Sequence, residues 1–128
     1  MTETSSNPYS PHHRPTEIRL KKEEKLLEVD FEDGKSFSLP AELLRVESPS
    51  ADVQGHGPGQ KKTVAGRRYV GIMEVVPVGN YAVRINFDDM HDSGIYSWDT
   101  LYDFGERQDE LWQGYLDALE KQGLSREP

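Results

Sequence analysis

A chain of 128 residues with 23 acidic against 15 basic side chains, a formal net charge of -8 and no cysteine excludes several classes of function before any motif is read. Disulfides, thiolate nucleophiles and an iron–sulfur cluster held by its own thiolates are ruled out, and the acidic balance argues against a general nucleic-acid surface, which clustered Lys and Arg would have to supply. No apolar run approaches the roughly 20 residues that span a bilayer, and the first residues lack the apolar stretch of a secretory signal; the expectation is one soluble, cytosolic domain with neither membrane nor nucleic acid as partner.

Residues 1–15 are rich in Ser, Pro, Thr and His with almost nothing to bury, so a disordered tail is expected, with His12 and His13 solvated in it. The folded part is expected over residues 16–122. Ile18 and Leu20 alternate with charged residues, KKEE turns the chain, and Leu27, Val29 and Phe31 line one face of a second strand. Asp33-Gly34 is a hairpin signal that leads to a third strand carrying Phe37 and Leu39. Pro40 suits a helix start because its missing N–H would be unpaired there, and residues 41–46 read as a short helix with Leu43 and Leu44 inward.

Residues 47–66 contain Pro49, Pro58 and four glycines and read as a long loop. Residues 67–76 resume as a strand, Pro77-Val78-Gly79-Asn80 turns it, and Tyr81, Val83, Ile85 and Phe87 fall on one face of the next. Asp88, Asp89, Asp92, Ser93 and Gly94 supply a hairpin turn, and residues 95–98 return. A short helix over 98–104 ended by Gly105 and a longer one over 108–121 closed by Gly123 follow, with residues 123–128 frayed. Leu111, Trp112, Tyr115, Leu116 and Leu119 form an apolar stripe expected to cover the sheet. Strands followed by helices predict an α+β fold, an antiparallel meander with a short helix after strand three and a C-terminal helix packed on it.

Few residues carry chemistry. His91, Asp88, Asp92 and His56 have the donor types that suit zinc or iron; the plainer reading is a polar turn with a locally bonded histidine. The same carboxylates would serve acid–base catalysis only if burial raised one of them. Gly55, Gly57 and Gly59 form G-x-G-x-G without a following GK[ST], so a flexible loop is simpler than a phosphate cradle. Lys61, Lys62, Arg67 and Arg68 make a basic patch, read as a solvated face or a contact for an acidic partner. Tyr96 and Trp98 either anchor the hairpin in the core or form a binding surface.

Leu43-Leu44-Arg45, the run from Ser48 to Gly57 (SPSADVQGHG) and the block from Asn80 to Trp98 together resemble the gamma-butyrobetaine hydroxylase-like N-terminal domain, also called DUF971. In the hydroxylases of that family the corresponding domain precedes a separate oxygenase domain that uses non-haem iron and 2-oxoglutarate; no facial triad is seen here, so the resemblance implies no catalysis. The family domain binds a structural zinc through C-x-C-x-x-C after a Leu-Arg segment and a histidine in the later hairpin. Carried over residue by residue, the thiolate positions are Ser48, Ser50 and Val53, and the histidine is His91. Hydroxyls are poor zinc ligands and valine is none, so the resemblance implies a lost zinc site. Relatives fused to iron–sulfur ATPases imply at most an adaptor role in cluster assembly.

The sequence therefore predicts a non-enzymatic accessory or protein-interaction module with an unidentified protein partner and no cofactor. The second reading is an iron- or zinc-binding protein using His91 with Asp88, Asp92 and His56. The third is a small enzyme.

Overall fold

The computed structural model describes residues 12–57 and 59–128. The elements run β1 (Pro15–Lys21), β2 (Leu26–Phe31), β3 (Ser36–Pro40), α1 (Ala41–Val46), α2 (Ala51–Gln54), β4 (Ile72–Val78), β5 (Ala82–Phe87), β6 (Ile95–Ser97), α3 (Trp98–Glu106) and α4 (Gln108–Lys121). The strands form two three-stranded sheets, β1-β2-β3 and β4-β5-β6, antiparallel throughout. Tight turns set the first register: Lys25 and Gly34 take positive φ of 58 and 92, and Leu27 pairs with Leu39 and Val29 with Phe37.

The period of two decides what is buried. Leu27, Val29 and Phe31 from the first sheet meet Val83, Ile85, Phe87 and Tyr96 from the second, and Leu101 and Phe104 of α3 complete the cluster. Leu27, Val29, Leu39 and Ile85 have no solvent exposure, and burying such a side chain contributes about 1.5–3 kcal/mol. All six residues of α1 are buried. It runs through the seam between the core and a second cluster.

That second cluster is where α4 goes. Tyr115 and Leu119 pack with Val46, Val53 and Val64, so the α4 stripe closes over α1, α2 and the following loop, while α3 and Leu111 make the contact with the sheet cluster. The expected long loop contains α2, capped by the Ser50 side chain, which accepts from the Asp52 N–H.

Several boundaries differ from the sequence expectation. Strand β4 starts at Ile72 and runs through Pro77, which an edge strand tolerates because no ladder hydrogen bond is needed on its open side. Residues 123–128, expected to be frayed, make backbone bonds to the body of the domain: the Leu124 N–H donates to the Leu119 carbonyl, the Gly66 N–H to the Ser125 carbonyl and the Arg68 N–H to the Arg126 carbonyl. His12 and His13 lie against α3, where the Asp99 carboxylate accepts from both backbone N–H groups and the His13 ring stacks on Tyr102 at 3.6 Å. Residues 1–11 of the expected tail lie outside the described residues. Among the described residues no helix is long and apolar enough to cross a membrane.

Gly105 does not end α3; the helix continues to Glu106. A Cβ there would overlap the Phe37 ring, which is itself held edge-on by Phe31 and Tyr102. Helix propensity alone favours Gly105→Ala by about 1 kcal/mol. We expect the opposite sign, a loss of about 1–3 kcal/mol from overpacking, read from urea midpoints. A midpoint that stays or rises would show that Phe37 moves aside freely.

Candidate functional site

The β5–β6 hairpin and the α1–α2 turn meet through side chains, and the local sequence explains why. Asp89 accepts from the His91 N–H at 3.1 Å, an Asx turn, and Met90 takes φ 75, which reverses the chain and directs the His91 ring inward beside Phe87. On the other side α1 stops at Val46, leaving Ser48 and Ser50 on the link to α2.

Ser48 Oγ and His91 Nε2 lie 2.9 Å apart and share a hydrogen bond. Ser50 Oγ and Ser93 Oγ are 2.7 Å apart, the Ser50 N–H donates to Ser48 Oγ, and Gln54 donates to the Ser48 carbonyl. Tyr96 donates its hydroxyl to the Leu44 carbonyl at 2.6 Å. Gly94 has no room for a Cβ because Ser48 Oγ and the Tyr96 ring occupy it.

Beside this knot, Asp89 Oδ2 accepts from Arg45 Nε at 2.7 Å and Arg67 Nε at 2.6 Å. Arg45 is 8% exposed, and among the described residues its Nη1 is buried with no hydrogen-bond partner. Burial pushes the Asp89 carboxyl up, but the bonds from Arg45, the His91 N–H and Arg67 outweigh it and hold the group below the usual carboxylate range. His91 is shifted down, first by burial and then by the Arg45 charge, against the opposing pull of Asp89, Asp52 and Asp92. The imidazole is therefore neutral at pH 7.

These residues do not fit zinc. Ser48 is fully buried and hydrogen-bonded, Ser50 is committed to the α2 cap and Ser93, and Val53 is packed into the α4 cluster, which leaves His91 as the single donor of a kind zinc prefers. Nor are the alternative ligands assembled around it. Asp88, Asp92 and His56 are exposed, His56 sits in the loop with its backbone N–H bonded to Gln60, and among the described residues no three His, Asp or Glu side chains are placed to hold a metal ion. A serine 2.9 Å from an imidazole has the start of a nucleophilic dyad, yet Ser48 has no exposed surface, so a substrate carbonyl has no approach to it.

The expected interaction residues are mostly spent internally. Tyr96 is fully buried and Trp98 is 8% exposed, with the indole N–H donated to the Asn80 carbonyl; both belong to the core and not to a binding surface. In the basic patch Lys61 pairs with Glu47, Arg67 with Asp89 and Arg68 with Glu127, while Lys62 is exposed. Sequence reading missed Arg45 and Ser93 as members of the knot, and Asp89 as its charge centre, because nothing in their spacing marks contacts made 43 or 44 residues away. It also missed a groove of about 470 Å³ between the edge strands β1 and β4, lined by Ile18, Leu20, Met73, Val75, Pro77 and Val83 together with the charged Lys22 and Glu74.

The sign of the His91 shift gives a pH dependence. A base whose folded pKa lies below its unfolded value of 6.5 contributes stability that is complete above that value and is lost as pH falls through the folded pKa. We expect stability to decline between about pH 7 and pH 5, and His91→Gln to flatten that decline while costing about 1–3 kcal/mol at neutral pH. Urea midpoints at the two pH values check this; an unchanged acid slope in the variant would remove His91 from the account.

The model of the family described as gamma-butyrobetaine hydroxylase-like, N-terminal, matches residues 18–102. Two proteins solved in solution by NMR are 46% and 45% identical to the chain with TM-scores of 0.79; the alignments cover 91% and 97% of this chain and 91% and 92% of theirs. A crystal structure of a DUF971 protein of unknown function from Acidithiobacillus ferrooxidans ATCC 23270 is 41% identical, with a TM-score of 0.58 over 69% of this chain and 88% of that one. Among curated proteins no match was found.

Proposed function

We propose that this chain, which belongs to the gamma-butyrobetaine hydroxylase-like N-terminal family, is a non-catalytic interaction module of the cytosol that folds and works without a metal or cofactor. The observation that carries this reading is that Ser48, Ser50, Val53 and His91 are taken up by mutual hydrogen bonds and by packing, so the positions where chemistry would be sought hold the fold instead. The second reading, an iron or zinc protein built on His91 with nearby carboxylates, requires the hairpin to give up its bond to Ser48.

For the binding surface we take the groove between β1 and β4. Its walls are mostly apolar side chains of β1, β4 and β5, with Lys22 and Glu74 also lining it, and Met73 stands 54% exposed in it. Exposed apolar surface at a sheet edge serves partner binding. Pro77 lacks an N–H and the ladder is irregular between Ile72 and Glu74, features that discourage strand addition. Contact through side chains is the mode this leaves. The partner is a protein, and an adaptor role in iron–sulfur cluster assembly is compatible with a chain that has no thiolates of its own.

Affinity capture from native lysate, comparing the unsubstituted chain with Met73→Glu, tests the proposal. A surface change of this kind stays within about 0.5 kcal/mol in stability, so loss of capture reports on contact. We expect one protein to be retained by the unsubstituted chain and lost from the variant, with chelator leaving the thermal midpoint unchanged. Equal capture by both chains would reject the groove, and one equivalent of metal whose removal unfolds the protein would favour the second reading.

A further inference from the structure

The segment after α4 crosses back over the molecule and inserts one side chain. Residues 123–128 are exposed except Arg126, which reaches Glu42 with two parallel bonds, Nε to Oε2 at 2.8 Å and Nη2 to Oε1 at 2.7 Å. Its Cζ lies 5.1 Å from the Trp112 ring centroid. Glu42 is 7% exposed with Arg126 in place, and a cleft of about 290 Å³ lined by Pro40, Glu42, Leu43, Gln108, Asp109, Trp112 and Arg126 itself opens beside the pair.

A buried carboxylate facing a half-buried indole is the chemistry that recognises a guanidinium. The carboxylate accepts both arms of the planar fork and the ring face takes its charge. A lysine ammonium supplies one point charge and cannot make the paired bonds. If Arg126 withdrew, the Glu42 carboxylate would lose the cation that now pairs with both of its oxygens and would be free to accept another guanidinium in the same way.

We propose that the Glu42–Trp112 cleft is an arginine-recognition site, occupied in cis by Arg126, and that an arginine side chain of a partner protein takes it when the segment carrying Arg126 lifts. The occupant is fixed by what is seen: a guanidinium already pairs with Glu42 beside Trp112, a second carboxylate at Asp109 lines the adjoining cleft, and the chain as a whole is acidic. The cis contact competes with the partner, because a tethered arginine acts at a high effective concentration. This site is separate from the groove between β1 and β4 and stands or falls independently of it.

The test is titration of N-acetyl-L-argininamide into the full chain and into Arg126→Ala, followed by the Trp112 indole N–H resonance. In Arg126→Ala we expect a saturable shift with a Kd on the order of millimolar, about tenfold tighter than in the unsubstituted chain. N-acetyl-L-lysinamide should bind at least about fivefold more weakly. The double variant Glu42→Gln with Arg126→Ala should lose the response. If Arg126→Ala does not fold, the unsubstituted chain decides, because argininamide must then move the Arg126 Nε–H resonance and the Trp112 indole together. No shift in either chain, equal binding of the lysine analogue, or binding retained in the double variant would overturn the proposal and leave Arg126 as a structural strap. None of these outcomes alters the lysate experiment on Met73.

Discussion

The bond between Ser48 and His91 is the contact on which the rest of the arrangement turns, because it joins two segments 43 residues apart that share no backbone ladder. The link between α1 and α2 carries Ser48, and the β5–β6 hairpin carries His91. Around that bond lie the Ser50–Ser93 contact, the Tyr96 hydroxyl on Leu44 and the Arg45–Asp89 pair. A buried hydrogen bond contributes about 0.5–1.5 kcal/mol net, but leaving one partner unsatisfied costs about 1–3 kcal/mol. The knot is therefore strong in specificity even where its members are weak singly. Hydrogen bonds join the same two segments that, by resemblance, a zinc ion closes elsewhere in the family, while Val53 packs away from them into the α4 cluster.

Charge in this molecule follows the same logic. Arg19 is committed to Glu17, Glu28 and Asp30, Arg107 to Asp103 and Glu110, and Arg45 and Arg67 to one Asp89 carboxylate. The exposed pairs are screened by solvent and contribute little to stability. Each such pair cancels one charge of each sign, and the excess of acidic side chains leaves unpaired carboxylates in the majority. The buried pairs are different, since removing one member strands the other. Glu42 and Asp89 are where that asymmetry is sharpest.

Where the sequence carried a strong local period, it was readable. Leu27, Val29 and Phe31, the set Val83, Ile85 and Phe87, and the helix from Ala41 to Val46 stand as their spacing predicts, and the α+β class follows from them. The family resemblance grouped Ser48, Ser50, Val53 and His91, which spacing alone does not; Ser48 meets His91 and Ser50 meets Ser93, whereas Val53 packs with α4. What stayed hidden depends on tertiary contact. Gly105 looks like a helix stop until Phe37 is seen to fill its Cβ position, and the apolar stripe of α4 does not say that its partners are Val46, Val53 and Val64. Arg126 gave no signal because a single arginine in a polar segment has no period, and its carboxylate lies 84 residues away.

A double-mutant cycle on Ser48→Ala and His91→Phe, measured by urea unfolding at neutral pH, tests the central claim most directly. Both substitutions remove the shared bond while leaving a side chain that can be buried, so the coupling isolates the contact between the two segments. A knot that closes the fold predicts non-additivity of about 0.5–3 kcal/mol between the two changes. Additivity within about 0.3–0.5 kcal/mol would show that Ser48 and His91 act independently, and that the hydrogen bond is not what holds the hairpin to the helices.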